Sequence, residues 1–441
     1  MTALTTRFLH TSDLQLGMTR WFLQETEDAQ ALFDAARVEA ITRLGEKAIE
    51  YQCDFIIVAG DVFEHNSIST KTRERALAAL AALPVDVYLL PGNHDPLTAD
   101  SIFYRAESHP RIHVFTDNTP IEVAPGVELI GAPWHSKTPS CDLVSNAIAD
   151  LEPAATIRIV VGHGQLDNRS NDIRMDIIDR DTVETAIRGG TIDYLALGDT
   201  HSAISLSDTG AIWFSGAPEV TAFRELPSGQ GENNSGKALI VDIAKSAAAQ
   251  AEVTVTETQI GTWRFDAISA DVNSLDDYAS HMRRFCDICG RDDLYQVNVA
   301  DVVSACDAVR ARAKDLPEAR YLALRTSSAK SKALKQNHFA CRIFDDLNMQ
   351  NIADDGSSLD ELSLEAIQAA DPAYVFVIYQ GDEDKAREAY EEGFSSRPAW
   401  QGLKATLDGH VFVLPKELFQ YKPNARWADA YRYALELRSR E

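Results

Sequence analysis

Five short segments in the first two hundred residues each end in polar side chains of the kinds that bind metals. DFIIVAGD, VYLLPGNHD, IRIVVGHG and YLALGDTH are apolar runs that end in Gly and then Asp, Asn or His, and RFLHTSDLQLG offers Asp and Gln in the same place. Apolar runs of this length that end at glycine predict buried strands. Because ligand sites in open α/β sheets lie beyond the carboxyl ends of the strands, we expect these side chains to converge.

The pattern around these segments predicts a layered α/β domain. Strands are predicted at residues 7–10, 54–59, 85–90, 127–130, 157–161 and 194–197, and apolar residues at helical spacing predict helices at 28–51 and 70–83. From about residue 211 the strings IWFSG, KALIVDI and AEVTVTE predict further strands. The segment SGQGENNSGK, residues 228–237, predicts an exposed loop between two of them.

Length and composition limit the class of protein. A chain of 441 residues is too long for one ordinary core, and 45% apolar with 25% charged residues is typical of a globular protein. No apolar run reaches the ~18–20 residues of a membrane helix, and the N-terminal sequence lacks the features of a secretory signal. The six cysteines are sparse and irregularly spaced. We therefore expect a cytoplasmic protein with reduced cysteines, including the single C-x-x-C at 286–289.

Net charge excludes simple capture of nucleic acid by a basic surface. The chain carries a net charge of −25, of which −21 falls in residues 1–300 and −4 in residues 301–441. Such a surface repels polyphosphates. If the substrate is a phosphate ester, a metal ion or a basic partner has to supply the positive charge.

The mixture of carboxylate, amide and imidazole side chains indicates the kind of metal. Oxygen donors combined with imidazoles suit Mn²⁺, Fe²⁺ or Zn²⁺. One shared carboxylate can bridge two ions about 3.5–4 Å apart, the spacing found in two-metal phosphoesterases. The glycines before these side chains permit the tight turns that direct them to one point.

The order D-x-Q, GD, GNHD, GH and GDxH resembles the calcineurin-like metallophosphoesterases. The longer strings HTSDLQLG, VAGDVFEHN, LLPGNHDP, GAPW and VGHG resemble the SbcD-type DNA repair exonuclease subunits of that superfamily, over residues 6–300. The resemblance implies a four-layer α/β/β/α sandwich at residues 1–245 and a small α+β cap at 246–300. It also implies hydrolysis of phosphodiesters at DNA ends by two divalent ions, Mn²⁺ first with Fe²⁺ or Zn²⁺ as alternatives. The implied partner is an SbcC-type ATPase, and a homodimer stays open.

The resemblance also implies a role for each side chain. The metal ligands would be Asp13, Gln15 and His201 for the first ion, Asn93, His163 and Asp199 for the second, and Asp61 as the bridge. His94 would be the general acid that protonates the leaving alkoxide, with Asp95 orienting it. His65, His135 and Lys137 are candidate substrate contacts, although His65 is more typical of a surface-loop histidine.

Two ligand positions depart from the family pattern. Gln15 stands where D-x-H is usual, and Asp199 stands where G-H-x-H is usual. Glutamine is a neutral and weaker donor, so the first ion is expected to bind more loosely. Aspartate adds charge at the second position, which favours metals that prefer oxygen ligands. We interpret the site as retuned and not as inactive.

The last third of the chain belongs to a different pattern. FDDLNMQNIAD, SLDELSLEAIQAADPAYVFVIYQGDED, PAWQGLKATLDGHVFVLP and YKPNARWADAYRYALEL resemble the C-terminal lobe of periplasmic solute-binding proteins of the iron-siderophore and cobalamin class. A separate α/β lobe is therefore predicted at residues 301–441, with strands at 321–325, 374–379 and 411–415 and a helix at 363–370. A natural fusion, a joined reading frame and a deliberate chimera all remain open explanations.

These patterns support three functions. The first is a metal-dependent DNA exonuclease subunit. The second is a phosphodiesterase for a small phosphodiester or nucleotide. The third is a solute-binding module carried by the C-terminal lobe, which by itself offers only half of a closed cleft.

Overall fold

The computed structural model describes residues 3–440 apart from residues 25, 27, 107, 168–176, 225–230, 247–249, 268–269, 336–337 and 355–362. The chain divides into two units, Met1–Ala267 and Ile268–Glu441, each with its own core. Within the described residues, no helix is both long enough and apolar enough to cross a membrane.

Two six-stranded sheets form the centre of the first unit. The strands of the first sheet are β1 (Leu4–Thr11), β2 (Phe55–Val58), β3 (Asp86–Leu89), β4 (Ile112–Val114), β11 (Lys237–Lys245) and β12 (Glu252–Gln259). Their order is β12-β11-β1-β2-β3-β4, with β1 to β4 parallel and β11 antiparallel to both neighbours. The strands of the second sheet are β5 (Ile121–Ala124), β6 (Val127–Gly131), β7 (Ile157–His163), β8 (Tyr194–Gly198), β9 (Ile204–Ser205) and β10 (Ile212–Phe214). Their order is β5-β6-β7-β8-β10-β9, with β6, β7, β8 and β10 parallel.

Helices cover the outer faces of both sheets. The helices of this unit are α1 (Trp21–Gln24), α2 (Ala29–Glu50), α3 (Thr70–Ala81), α4 (Phe103–Ala106), α5 (Leu143–Ile148) and α6 (Arg180–Arg188). Successive side chains of a strand point to opposite faces, so Leu9 packs with the α2 and α3 side while Phe8 packs between the sheets. A third cluster joins β7 and β8 to α5 and α6. The predicted four-layer α/β/β/α sandwich is confirmed.

The second unit is a smaller α/β layer structure. Its strands are β13 (Ala319–Thr326), β14 (Ser331–Ala333), β15 (Met349–Asn351), β16 (Tyr374–Tyr379) and β17 (Val411–Val413). The order is β14-β13-β16-β17, with β15 pairing in parallel with the start of β13. The helices are α7 (Leu275–Cys289), α8 (Asp292–Tyr295), α9 (Asp301–Ala313), α10 (Phe339–Asp345), α11 (Leu364–Ala370), α12 (Glu383–Tyr390), α13 (Pro398–Gln401), α14 (Lys404–Leu407), α15 (Lys416–Phe419) and α16 (Trp427–Arg438), with π-helical turns at Gln296–Ala300 and Glu391–Ser395 and a 3₁₀ turn at Ile352–Asp354. The predicted α/β lobe is confirmed, including the predicted strands at 321–325, 374–379 and 411–415.

The division of the chain differs from the one we predicted. We placed boundaries at residues 245 and 300, with a cap between them. In the structure β12 pairs along its length with β11 and so belongs to the first unit. Helix α7 belongs to the second unit, because Leu275 lies in the same apolar cluster as Val302 and Tyr321. A cap role for residues 246–300 stays a prediction.

Candidate metal centre

The predicted ligands lie where strands of the two sheets end. Asp13 follows β1, Asp61 follows β2, and His163 is the last residue of β7. One ligand atom from each lies within 4.8 Å of the others, and all three residues are buried. The fold therefore brings three of the predicted ligands, Asp13, Asp61 and His163, to one point.

Backbone conformation fixes the direction of these side chains. Asp13 (φ 52°), Gln15 (φ 40°), Asp61 (φ 52°) and Asp199 (φ 100°) all have positive φ, which residues other than glycine rarely adopt. The loops after β1 and β2 run side by side, with Asp13 N donating to Gly60 O at 3.0 Å and Gln15 N donating to Asp61 O at 2.9 Å. Non-glycine residues held in this region cost of order 1–3 kcal/mol each and cluster at functional sites.

Three glycines leave the room that the side chains fill. A Cβ at Gly60 would lie 2.1 Å from His163 Nδ1, and one at Gly198 would lie 2.0 Å from Ala59 O. A Cβ at Gly92 would lie 2.3 Å from Asp61 Oδ1. These glycines are thus required by close packing around the ligands as well as by turn formation.

His163 is oriented by the backbone of the first sheet. Its Nδ1 donates to Ala59 O at 2.8 Å, so Nε2 is the nitrogen that faces the cluster, 3.4 Å from Asp61 Oδ2. Trp134, at the end of the GAPW string, donates its indole N–H to His163 O at 2.8 Å. A backbone hydrogen bond of this type fixes the tautomer of a metal-binding imidazole.

Asn93 completes this side of the cluster. Its amide lies 2.8 Å from His163 Nε2 and within 3.3 Å of the Asp61 carboxylate. With its oxygen turned inward the amide faces only other acceptors, an arrangement that a cation between them would satisfy. With the amide turned over, its nitrogen donates to His163 and Asp61.

The other side of the cluster contains Gln15 and His201. Gln15 Nε2 lies 3.2 Å from His201 Nε2, and His201 Nε2 lies 3.8 Å from Asp13 Oδ1. Gln15 Oε1 is buried and has no hydrogen-bond partner among the described residues. An orphaned oxygen beside a buried carboxylate fits a metal ligand, so these residues suit the divalent ions that the sequence implied.

Electrostatics at the cluster require positive charge. Burial raises the pKa of Asp13 above its ordinary value, whereas His163 and His94 outweigh burial and lower the pKa of Asp61. Burial lowers the pKa of His163, but the charges of Asp61, Asp13 and Asp199 outweigh this effect and raise that pKa well above its ordinary value. The carboxylates therefore favour the positively charged form of His163. A divalent ion bound in the cluster would supply this positive charge instead.

His94 lies at the edge of the cluster with a half-exposed side chain. Its backbone N–H donates to Asp61 Oδ1 at 3.0 Å, and its Nδ1 donates to Glu64 O at 3.0 Å. Nε2 lies 3.9 Å from Asp61 Oδ2 and is the nitrogen free to face a substrate. This placement suits the general acid that the resemblance implied.

Asp95 has a different structural role from the one we predicted. We expected it to orient His94, but its carboxylate accepts from Phe63 N at 2.8 Å and from Gly92 N at 2.9 Å. Its complete burial is the reason, because a buried carboxylate has to accept hydrogen bonds from its nearest donors. Asp95 therefore joins the loops after β2 and β3, and the Glu64 carbonyl holds the imidazole.

Four residues around the cluster escaped sequence reasoning. Glu232 Oε1 lies 2.9 Å from His201 Nδ1, and its carboxylate also accepts from the Thr221 hydroxyl and backbone N–H. Gln165 donates to Asp199. Arg37 is buried and donates to Asp13 O, Leu14 O and two further carbonyls, which fixes the turn that carries Asp13.

Glu232 also corrects the predicted loop at 228–237. Residues 228–230 lie outside the described residues, but Glu232 is buried, not exposed. The physical reason is its pairing with His201 and Thr221. Although burial raises the pKa of Glu232, these hydrogen bonds and the charge of His201 lower it to about 2.

The remaining candidates make no contact with the cluster among the described residues. His65, His135 and Lys137 are exposed, and His65 Nδ1 lies 3.1 Å from Ser67 Oγ. Among the described contacts, none joins these three side chains to the carboxylates. Their role as substrate contacts stays a prediction.

The sequence pattern of one enzyme family covers half of the chain. The calcineurin-like phosphoesterase pattern matches residues 6–226, which contain every predicted ligand. The chain belongs to the calcineurin-like phosphoesterases. A second pattern, that of periplasmic binding proteins, matches residues 247–418.

The phosphoesterase unit is similar to DNA repair proteins. The DNA double-strand break repair protein Mre11 of Saccharolobus solfataricus is 25% identical over 293 residues, which cover 62% of this chain and 71% of that protein. Mre11 of Archaeoglobus fulgidus is 29% identical over 106 residues, which cover 23% of this chain and 22% of that protein.

Solved structures of solute-binding proteins are also similar to part of the chain. A substrate-binding protein of an ABC transporter from Listeria monocytogenes shares 15% identity at a TM-score of 0.35, over 39% of this chain and 67% of that one. The periplasmic vitamin B12 binding protein BtuF of Vibrio cholerae shares 20% identity at a TM-score of 0.33, over 40% and 65%. At such identities and TM-scores the likeness does not bear on function.

Proposed function

We propose that this phosphoesterase is an SbcD-like DNA exonuclease subunit with a dinuclear metal site. The observation that carries the proposal is the convergence of Asp13, Asp61 and His163 from two sheets on one buried point. The similarity to Mre11 supports DNA as the substrate. The chain carries a net charge of −25, and in our proposal an SbcC-type ATPase supplies the DNA-binding surface in the cytoplasm.

The two halves of the site would hold the ions unequally. Asp61, which has a carboxylate oxygen within 4.8 Å of ligand atoms of both Asp13 and His163, would hold both ions. Asp13, Gln15 and His201 would hold the first ion with a neutral amide, while Asn93, His163 and Asp199 would hold the second with an added carboxylate. Two divalent ions held there, Mn²⁺ in our proposal, would supply an activated water and positive charge for the phosphoryl oxygens.

His94 would complete the reaction. Because Nδ1 donates to the Glu64 carbonyl, Nε2–H is the group that donates its proton to the leaving oxygen. A poor leaving group such as a deoxyribose alkoxide needs this proton, whereas a nitrophenolate does not. His163, fixed by Ala59 O, cannot take this role because it is buried.

The test compares a DNA substrate with a chromogenic diester. We expect the wild-type chain to cleave end-labelled linear DNA and bis(p-nitrophenyl) phosphate with Mn²⁺ and to lose both activities with chelator. His94→Ala should lose ~10²-fold or more on DNA and far less on the diester. His281→Ala, a histidine of the second unit, serves as the control and should match the wild type on both. Cleavage of the diester alone would move the substrate to a small phosphodiester or nucleotide, and cleavage of neither would reject the proposal.

Solute binding by the second unit is a second candidate. The periplasmic-binding-protein match at residues 247–418 favours it. The second unit has a polar cavity of about 610 Å³ lined by Arg310, Arg342, Asp345, Asp346 and Tyr431 among others. Trp427 also lines it, so a ligand should change tryptophan fluorescence. Titration with a ferric siderophore and with cobalamin tests this candidate, and an unchanged signal with both counts against it.

A further inference from the structure

A buried arginine of helix α2 holds the chain segment that carries two of the proposed metal ligands. Arg37 is 2% exposed, and its guanidinium donates to Leu14 O from Nε at 3.0 Å and from Nη2 at 2.7 Å. Nη2 also donates to Asp13 O at 3.3 Å. Leu14 is the single residue between Asp13 and Gln15. Arg37 therefore binds the two peptide groups that connect these ligands.

The backbone of this segment needs such support. Asp13 and Gln15 have φ of 52° and 40°, in the left-handed region that residues other than glycine rarely adopt. Residues persist in this conformation only where the surrounding structure holds them there. The N–H groups of the two residues donate to Gly60 O and Asp61 O, and Arg37 binds carbonyl groups of the same segment. The guanidinium thus adds a second set of contacts to those made by the neighbouring loop.

The same guanidinium also holds a second chain segment, the one that contacts His201. Arg37 Nη1 donates to Val220 O at 3.1 Å. The next residue, Thr221, has its hydroxyl 2.7 Å from His201 Nδ1. Gln15 Nε2 lies 3.2 Å from Nε2 of the same imidazole. One guanidinium therefore connects the turn that carries Gln15 with the segment that contacts His201, and both belong to the proposed first metal position.

The contacts of Arg37 concern only one half of the proposed site. Within the described part of the chain, each of its hydrogen bonds goes to a backbone carbonyl and none to a carboxylate. A guanidinium presents its N–H groups in a fixed planar fork, so it can hold two segments at a set separation. The proposed ligands of the second ion are held by other groups, His163 by Ala59 O and Asp199 by the Gln165 amide.

We propose that Arg37 is a positioning residue that sets the affinity of the first ion, by holding the Asp13–Gln15 turn and the segment before Thr221 at a fixed separation. The inference rests on the proposed function, because it requires the two-ion site. It adds to that function a residue of the helix layer that lies outside every ligand motif. It also gives a physical reason why the neutral amide of Gln15 can serve as a ligand, since a weak donor gains most from being held in place before the ion binds.

Mn²⁺ binding tests the inference independently of catalysis. Calorimetry should show two ions bound to the wild-type chain, and electron paramagnetic resonance should show the exchange-coupled signal of two neighbouring Mn²⁺ ions. Arg37→Met should weaken the binding of one ion by ~10–100-fold, so that the spectrum at intermediate Mn²⁺ becomes that of a single ion. Arg37→Lys keeps the charge but not the fork and should lie between Arg37→Met and the wild type. Arg438→Met, at another buried arginine that donates to Tyr374 OH and Pro317 O, is the matched control and should bind both ions like the wild type.

Double variants identify the ion whose binding is weakened. Gln15→Ala removes a ligand of the first ion, so adding Arg37→Met to it should cause little further loss of affinity. Asp199→Ala removes a ligand of the second ion, and its combination with Arg37→Met should bind neither ion at the Mn²⁺ concentration that saturates the wild type. Full additivity with Gln15→Ala and no additivity with Asp199→Ala would overturn the inference.

Thermal unfolding without Mn²⁺ separates positioning from general stability. Arg37→Met and Arg438→Met each leave buried carbonyl groups without a donor, so both should lower the melting temperature. Only a positioning role also changes the affinity of one ion. If Arg37→Met and Arg37→Lys bind both ions like the wild type, or lose both to the same extent, the inference fails while the proposed function stands. It fails in the same way if neither variant folds, because Arg37 would then support the whole unit. If the wild type itself binds no Mn²⁺, the proposed function fails and the inference with it.

Discussion

The two units use the same kind of architecture and differ in the side chains at the ends of their strands. In the first unit Asp13, Asp61 and His163 lie at the ends of β1, β2 and β7. In the second, the three residues that follow each of β13, β16 and β17 contain a single carboxylate, Asp382, which accepts from Lys385 N at 3.2 Å as the N-cap of α12. No imidazole stands at those positions. Parallel strands create a common edge, and the side chains placed there decide whether it can bind metal.

Backbone geometry shows the same contrast. The positive-φ residues of the first unit include four at the strand ends of the metal centre. In the second unit Asn348 and Asp371 have positive φ, and they follow the helices α10 and α11. A left-handed residue at a helix end is a common way to terminate a helix. At the strand ends of the metal centre, the same conformation instead orients the side chains of the candidate ligands. Substitutions at matched positions in the two units can separate these two roles.

The largest effect is expected from Asp61→Asn. Asparagine tolerates positive φ and keeps the shape of aspartate, so the substitution removes mainly the bridging charge. We expect Mn²⁺-dependent hydrolysis to fall by about 10³-fold or more, since the shared carboxylate holds both ions. Steady-state kinetics and Mn²⁺ binding by calorimetry measure the loss.

Asp371→Asn is the control in the second unit. Asp371 has φ 39° and accepts from Lys404 N at 2.9 Å, an interaction that asparagine can keep. Hydrolysis should be unchanged in this variant. Equal losses of hydrolysis in both variants would show that the substitutions act by destabilising the protein. Asp61 would then have no special role in metal binding.

The second effect concerns close packing and is expected in Gly60→Ala. Gly60 has φ 92°, and its new Cβ would lie 2.1 Å from His163 Nδ1. Gly409→Ala in the second unit has a comparable φ of 73° but no atom within 4 Å of the new Cβ. The backbone strain is therefore similar in both, about 1 kcal/mol, and the close contact should bring the loss for Gly60→Ala to ~3 kcal/mol or more.

Hydrogen exchange measures these losses unit by unit. Amides of β1 and β2 should lose protection in Gly60→Ala, and amides of β16 and β17 should lose a little in Gly409→Ala. Similar losses of protection in both units would mean that His163 can move away from the new Cβ. Gly60 would then be required only for the backbone conformation of the turn.

A smaller effect is expected from Glu232→Gln. The Glu232 carboxylate holds His201 Nδ1, and such outer partners of metal ligands typically contribute 10–100-fold in metal affinity or activity. Glutamine keeps the shape and loses the charge. Glu257→Gln, on β12 and paired with Lys237 at the surface, is the matched control and should leave Mn²⁺ affinity unchanged. An unchanged affinity in Glu232→Gln as well would remove His201 from the first metal position.

The ligands at the strand ends could be predicted from the sequence, but the residues that hold those ligands in place could not. Asp13, Asp61 and His163 were predictable because each follows an apolar run at a glycine-bearing turn, a local pattern. Glu232 was missed because it stands in a polar stretch with the composition of a loop, and only the fold brings it to His201. Arg37 was missed for a related reason, since a charged residue on a helix normally faces solvent.

The domain boundary shows the same limit of local patterns. The predicted boundary at residue 245 follows the end of an apolar run, but β12 alternates polar and half-buried residues because it pairs at the edge of the sheet. Nothing in its local sequence identifies β11 as its partner. Because the pairing of distant strands depends on the whole sheet, it cannot be predicted from the sequence of a short segment.

The smallest effect concerns Asp345, a carboxylate of the second unit at which burial outweighs the opposing effects of the Tyr321 hydrogen bond and the Arg342 charge on its pKa. Burial raises the pKa of Asp345 to about 6, with the charges of Asp354 and Asp346 adding to the rise. Asp61 behaves oppositely, because neighbouring histidines lower its pKa. A carboxyl whose pKa is raised in the folded state stabilises the fold at low pH, and that stability is lost as pH rises from its unfolded value of 3.8 through about 6.

Asp345→Asn should therefore stabilise the second unit above pH 6 and not at pH 4. The amide oxygen can still accept from Tyr321 OH, which donates to Asp345 Oδ1 at 2.8 Å. Because Asp345 is only partly buried, the gain at pH 8 should be about 1 kcal/mol. Hydrogen exchange of β13 amides at pH 4 and pH 8 measures it, with the exposed Asp408→Asn as the control that should show no difference. A gain of equal size at both pH values would mean that the amide improves packing. The predicted contrast between the raised pKa of Asp345 and the lowered pKa of Asp61 would then be rejected.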